Sequence, residues 1–307
     1  MLLPHGFEQK TLSTRLGAMV YATARGPLWQ SADLSPAWPT LVFLHGFGGG
    51  SSNYEWSKVY PAFAHSHRVF APDLIGWGRS ERSPRAYRIE DYLSSITDFL
   101  AQTCPGPATV VASSLTAALT LRLAVERPEL FRSLILISPA GLADFGEDRT
   151  ANFFAQLASL PILDRVIYFA GIANEAAIRQ FLEQRQFAQA NRVCPEMVQA
   201  YAASAQQPYA EYSALSFVRG HLSFDLAPWI RDLHTPTAMI WGQQCSFTPV
   251  SLGRRLAALN PRAIQFFQEL DHVGLTPQLE VPATTIGLIA QLLQQLQVAP
   301  PSTSSHH

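Results

Sequence analysis

Six short apolar runs, none of them alternating with polar residues, limit what this 307-residue chain can fold into. They are TLVFLHG (40–46), RVFAPDL (68–74), ATVVASS (108–114), SLILISP (133–139), TAMIWGQ (237–243) and AIQFFQEL (263–270). A strand with one wet face alternates; a continuous Val, Ile, Leu, Phe and Ala run marks a strand covered on both faces of a parallel sheet. Helical patterns separate the runs, at about 54–65, 89–103, 115–127, 248–259 and 283–297. This alternation implies right-handed β-α-β crossovers in a doubly wound sheet. Residues 9–14 and 18–24 flank Leu16-Gly17 and read as an antiparallel edge hairpin. The expected fold is therefore α/β, with a mostly parallel eight-stranded sheet.

One segment breaks the rhythm. Between Ser138 and Thr235 no strand pattern occurs, and helices are expected at 150–160, 162–172, 174–188, 195–206 and 211–219. The expected division is a core of residues 1–140 and 232–298, a helical cap at 141–231, and a disordered tail at 299–307. The first half of the cap, NFFAQLASLPILDRVIYFAGI, is notably apolar. Packing onto the core accounts for such a face more often than ligand or membrane contact. Charged residues make up 15% of the chain, against about 25% for an average soluble protein. A net charge of −1 excludes a strongly basic nucleic-acid footprint. Cys104, Cys194 and Cys245 are odd in number and widely spaced, with no metal or disulfide framework. No basic-then-apolar leader opens the chain, and no apolar run has membrane-span length. The expected location is cytoplasmic, with peripheral membrane contact left open. No phosphate loop, dinucleotide fingerprint or metal-ligand cluster is present, so no cofactor is expected.

Three segments carry chemistry. LVFLHGFGGGSSNYEW ends a strand in His45-Gly46-Phe47 and a glycine-rich turn. RVFAPDLIGWGRSERS holds Asp73, Gly76, Gly78 and Ser80 in a D-x-x-G-x-G-x-S stretch. ATVVASSLTAALTLRLAVERPELFRSLILISPAGL places Ser114 between a strand and a helix, in frame with G-x-S-x-G. On these motifs the chain resembles the α/β-hydrolase superfamily along nearly its whole length, near the esterases, epoxide hydrolases and chlorophyll-dephytylating enzymes. The resemblance implies that Ser114 is the nucleophile and that the amides of Phe47 and Leu115 form an oxyanion hole. Asp73 is implied to be structural, serving backbone N–H groups of the following loop. Ala112 and Thr116 replace both glycines of the elbow. A serine in place of a carboxylate speaks against dehalogenase or epoxide hydrolase chemistry and for acyl transfer.

The other two members of a triad depart from the pattern. The family's acid lies in W-G-x-x-D, where this chain has Trp241-Gly242-Gln243-Gln244-Cys245. A neutral thiol cannot stabilise an imidazolium as a carboxylate does. The family ends in G-H-x-x-x-x-E-x-P. Anchored on Glu280 and Pro282, the histidine position holds Leu275; counted from Cys245, His272 lies near the usual separation. As a polar pair with Asp271 at a strand end, His272 also has a purely structural reading. Asp144, with Glu147 and Asp148, is the fallback acid. Two functions follow. One is a hydrolase-derived protein that is impaired or non-catalytic and binds a lipophilic ester, an isoprenoid-like ligand or a protein partner. The other is an active carboxylesterase using Ser114, His272 and a non-standard acid. A lyase or cofactor-free oxygenase sharing the oxyanion site is a distant third.

Overall fold

All six apolar runs become strands, and the hairpin adds two more. The computed structural model describes residues 3–26, 38–147, 168 and 171–298. Its strands are β1 Phe7–Thr14, β2 Gly17–Ala24, β3 Thr40–Leu44, β4 Arg68–Pro72, β5 Ala108–Ser113, β6 Phe131–Ile137, β7 Thr237–Gly242 and β8 Ile264–Leu270. They form one eight-stranded sheet in the order β1-β2-β4-β3-β5-β6-β7-β8. β1 pairs with β2 and β2 with β4 antiparallel; every later pair is parallel. The expected α/β class, strand number and mostly parallel arrangement are all present.

The unalternated runs are explained by burial. Every residue of β3, β5 and β7 is buried. Neighbours within a strand feed opposite cores because side chains alternate faces. Val42, Leu44, Val110 and Ala112 join one core with the helices α1 (Ile89–Thr103) and α2 (Ser114–Glu126). Leu41, Phe43, Val111 and Ile135 join the other, against Trp56, Tyr60 and Phe63 and against Ile289, Leu292 and Leu296. Each such side chain contributes roughly 1.5–3 kcal/mol by leaving water. The edge strand β1, by contrast, carries Glu8, Gln9 and Lys10 and is only partly covered, which blunts it against further pairing.

The helix expected over 54–65 is instead two short 3₁₀ turns, Asn53–Trp56 and Tyr60–Phe63. Pro61 lacks an N–H and cannot continue an α-helical ladder. The indole of Trp56 donates to the Leu44 carbonyl at 2.9 Å and ties the first turn to β3. Between β6 and β7 the described elements are helical: α3 Glu175–Phe181, α4 Pro195–Ala205, α5 Ala210–Val218 and α6 Ala227–Arg231. An isolated bridge joins Leu142 to Phe224 there. α3 runs into a wide π-type turn at Leu182–Gln186 rather than continuing to 188. The expected helix at 150–160, most of that at 162–172, Asp148 and the tail lie outside the described residues. The chain finishes with α7 Val250–Ala257, a single turn α8 Pro277–Glu280, and α9 Pro282–Val298. Among the described residues no helix is long and apolar enough to cross a membrane.

Candidate active site

β5 ends at Ser113, and the next residue, Ser114, opens α2 with φ +55°. A non-glycine residue in this region is strained, and the surrounding packing must hold it there. The elbow is crowded. A Cβ on Gly46 would meet Ser113 Oγ at 3.2 Å and Ser114 Cβ at 3.4 Å, so the glycine lets the β3 loop pass close to the serine. Thr116 does fit in place of the family's second glycine: it is fully buried, and its carbonyl accepts from Thr120 Oγ1 at 2.7 Å. Its own hydroxyl has no hydrogen-bond partner among the described residues, a cost of about 1–3 kcal/mol.

Ser114 lines a cavity of about 210 Å³ together with Ser113, Phe47, Leu275 and Thr248. Leu115 is the second residue of α2 and fully buried behind the serine. Gly48 and Gly49 of the glycine run line the cavity. At Gly50, φ is +98° and an added Cβ would lie 2.3 Å from the Tyr201 carbonyl of α4, so only glycine lets the two approach.

The positions expected to complete a triad are distributed as follows. Leu275 lines the cavity, and its N–H donates to the Gln186 carbonyl at 2.9 Å. Three residues earlier, His272 sits outside the cavity lining with φ +55° and a side chain 65% exposed. Its ring lies 3.4 Å from the Asp271 carboxylate and 3.4 Å from the Gln244 amide. The cause is the anchoring of the loop. Glu280 is buried and accepts the Gly274 N–H at 2.8 Å and the Ala188 N–H at 2.9 Å. With Gly274 fixed, Leu275 faces inward and His272 is turned out. Cys245 is buried, with Sγ 3.4 Å from Thr248 Oγ1, and burial pushes its thiol pKa up. Asp144, the fallback acid, is fully buried but outside the cavity lining. It accepts N–H groups of Gly141 and Leu226 at 3.0 Å, and burial pushes its carboxyl up to about 6. Glu147 pairs with Arg255 at 3.1 Å instead.

Two further groups of the motifs are structural. The Asp73 carboxylate accepts the N–H groups of Asn53 and Arg79 at 2.6 and 2.8 Å. His45 is fully buried; its Nε2 accepts the Leu74 N–H at 3.0 Å, which leaves the proton on Nδ1, 2.7 Å from the Gly46 carbonyl. Burial holds this ring neutral, with its pKa lowered to about 4.

Sequence reasoning missed a polar network on the cavity wall. The Glu55 carboxylate accepts the Gly46 N–H at 3.0 Å and the Tyr201 hydroxyl at 3.1 Å. Gln186, placed by the π-type turn, donates to Tyr201 Oη at 2.8 Å and to Thr276 Oγ1 at 3.3 Å. Glu55, Gln186 and Thr276 all line the cavity. Burial is the main cause of the upward shift of the Glu55 carboxyl pKa. The one available signal was a carboxylate set between Tyr54 and Trp56; nothing in the sequence marked Gln186.

A mostly parallel sheet with a strained serine at the C-terminal end of a central strand, under helices inserted after the next strand, defines a hydrolase-type architecture. A model of the alpha/beta hydrolase fold matches residues 39–280, and the chain belongs to that family. It is similar to a 2-hydroxymuconate semialdehyde hydrolase of Pseudomonas sp. (strain CF600), 27% identical over 266 residues that cover 84% of this chain and 88% of that one. It is also 31% identical over 124 residues to an uncharacterized protein of Mycobacterium tuberculosis, and spans 34% of that protein's length. Among solved structures, a haloalkane dehalogenase from Bradyrhizobium elkani superposes with a TM-score of 0.75 at 18% identity, covering 96% of this chain and all (100%) of that one. A carboxylesterase from Bacillus subtilis gives 0.71 at 18% identity, covering 94% and 92%. These two likenesses show the fold alone.

Proposed function

We propose that this chain is a hydrolase-fold protein that binds a lipophilic ligand in its cavity and does not turn over esters efficiently. The observation that carries the reading is Leu275 in the cavity wall with Ser114, while His272 lies outside. A serine hydroxyl needs a base to take its proton, and the base needs an orienting carboxylate. With Leu275 at one position and buried Cys245 at the other, the loss in turnover is about 10⁴–10⁶-fold. Residues 1–140 and 232–298 act as the core and 141–231 as the cap that closes the cavity.

A second reading is favoured by one observation, the strained φ of Ser114. A carboxylesterase would retain that strain for nucleophilic attack, with His272 brought inward by rearrangement of its loop and a non-standard acid. A fluorophosphonate probe separates the two. Folded wild-type protein is expected to show no labelling beyond that of Ser114→Ala. Rapid labelling lost in both Ser114→Ala and His272→Ala would overturn the non-catalytic reading and establish the second.

A further inference from the structure

The cavity wall is unevenly divided. Ile172, Ile178, Phe181, Phe217, Val218 and Phe247 give it a hydrocarbon lining. Its polar atoms are instead connected. Glu55, Tyr201, Gln186 and Thr276 form a continuous hydrogen-bonded chain. A point beside Gly46 lies within 3.7 Å of Glu55 Oε2 and 3.2 Å of Ser113 Oγ, so Ser113 belongs to the same corner. Ser113 is 1% exposed, lines the cavity, and its hydroxyl has no partner among the described residues. Among the described residues, no Lys, Arg or His lines the cavity, and its one ionisable side chain is the Glu55 carboxyl.

This composition selects a headgroup. A carboxylate entering the cavity would lose its water without gaining a cation from the described residues, and would meet Glu55. The start of α2 offers an anion only the partial charge of a helix end, a smaller effect than desolvation. A hydroxyl headgroup meets no such penalty. It can donate to the Glu55 carboxylate and accept from Ser113, while its hydrocarbon chain covers the aromatic and aliphatic wall.

We propose that the corner formed by Glu55 and Ser113 is the headgroup site for an uncharged long-chain alcohol, and that the cavity discriminates against the matching carboxylate. The inference rests on reading the cavity as a receptor for lipophiles, and names the class of ligand. The discrimination rests on ionised Glu55, which repels a carboxylate; a protonated Glu55 would donate to one.

The test is calorimetric titration of the full chain with 1-decanol and with decanoate at pH 8, for wild type, Glu55→Gln, Ser113→Ala and Leu275→Lys. Wild type is expected to bind decanol at least about tenfold more tightly than decanoate, since the carboxylate's desolvation is unrepaid. Glu55→Gln should narrow that preference to about threefold or less by removing the charge that faces the carboxylate, and Ser113→Ala should weaken decanol binding by about three- to tenfold, in line with the loss of one buried hydrogen bond. Leu275→Lys, which places a cation in the wall without touching the network, should reverse it. Equal or tighter decanoate binding by wild type overturns the headgroup assignment and leaves the lipophile receptor standing. A preference unchanged in folded Glu55→Gln, or decanol binding unchanged in folded Ser113→Ala, also overturns it. Binding of neither ligand overturns both readings.

Discussion

His45 shows how a motif residue can be essential to the site without taking part in its chemistry. It is fully buried and neutral, and its two ring nitrogens join the β3 loop to the loop after β4. Its folded pKa, about 4, lies below the unfolded value near 6.5. Between those values the unfolded chain binds the extra proton, so stability falls as pH drops from about 6.5 towards 4. The full contribution is present above 6.5 and amounts to about 3 kcal/mol. Asp73 and Asp144 act with the opposite sign, because burial raises each carboxyl to about 6 and the folded state then holds the proton. Comparing wild type with His45→Gln cancels those two. In urea unfolding from pH 7.5 to 4.5, the stability advantage of wild type should shrink steadily as the pH falls. An advantage that stays constant across this range would show that His45 does not carry the linkage.

At the scale of elements, the loop after β8 decides which of its side chains lines the cavity with Ser114, and one carboxylate holds it. Glu280 at the end of α8 ties Gly274 to Ala188 beyond the π-type turn, with Arg192 at 3.5 Å. Removing it leaves two N–H groups without their acceptor and takes the carboxylate from Arg192, which keeps the His272 carbonyl at 2.6 Å. Glu280→Ala should therefore cost about 3–5 kcal/mol, and Glu280→Gln, which keeps one acceptor oxygen, roughly half as much. Chemical denaturation checks this, and an unmoved midpoint for Glu280→Ala would refute the anchoring role. The strands were legible because burial on both faces leaves only apolar residues in the sequence. The elbow was legible because its frame is local, a serine between strand and helix. The 3₁₀ turns at 53–63 were not, since periodicity alone does not separate them from an α-helix and only Pro61 marked the break. Glu55, Tyr201 and Gln186 come from three distant segments, and hydrogen bonds between distant segments leave no pattern in any one of them. The position of His272 was ambiguous because two motif anchors disagreed. The loop geometry puts Leu275, three residues on, into the cavity wall.

Across the whole molecule, the serine site is assembled by the sheet. Ser114 follows β5, Cys245 follows β7 and Leu275 follows β8, and parallel pairing brings these strand ends to one edge. The loops after β7 and β8 are in direct contact: the Gln244 N–H donates to the Val273 carbonyl at 3.0 Å. A triad can therefore be tested by substituting two residues on a backbone that already presents the third. Cys245→Asp alone places a carboxylate at a buried position near Glu280, and should cost about 3 kcal/mol or more of stability. Leu275→His alone supplies a base without its orienting acid, and removes apolar contact from the wall. Together they form a pair, and the carboxylate gains an imidazole N–H. The double variant should then be less destabilised than the two single changes added together, by about 1–2 kcal/mol of coupling. Fluorophosphonate labelling of Ser114 should rise in the double variant by at least about 10²-fold over wild type, and much less in either single one. Additive stabilities with unchanged labelling would mean that the two loops do not present these positions to Ser114, and that the site departs from a hydrolase in its backbone as well as in its side chains.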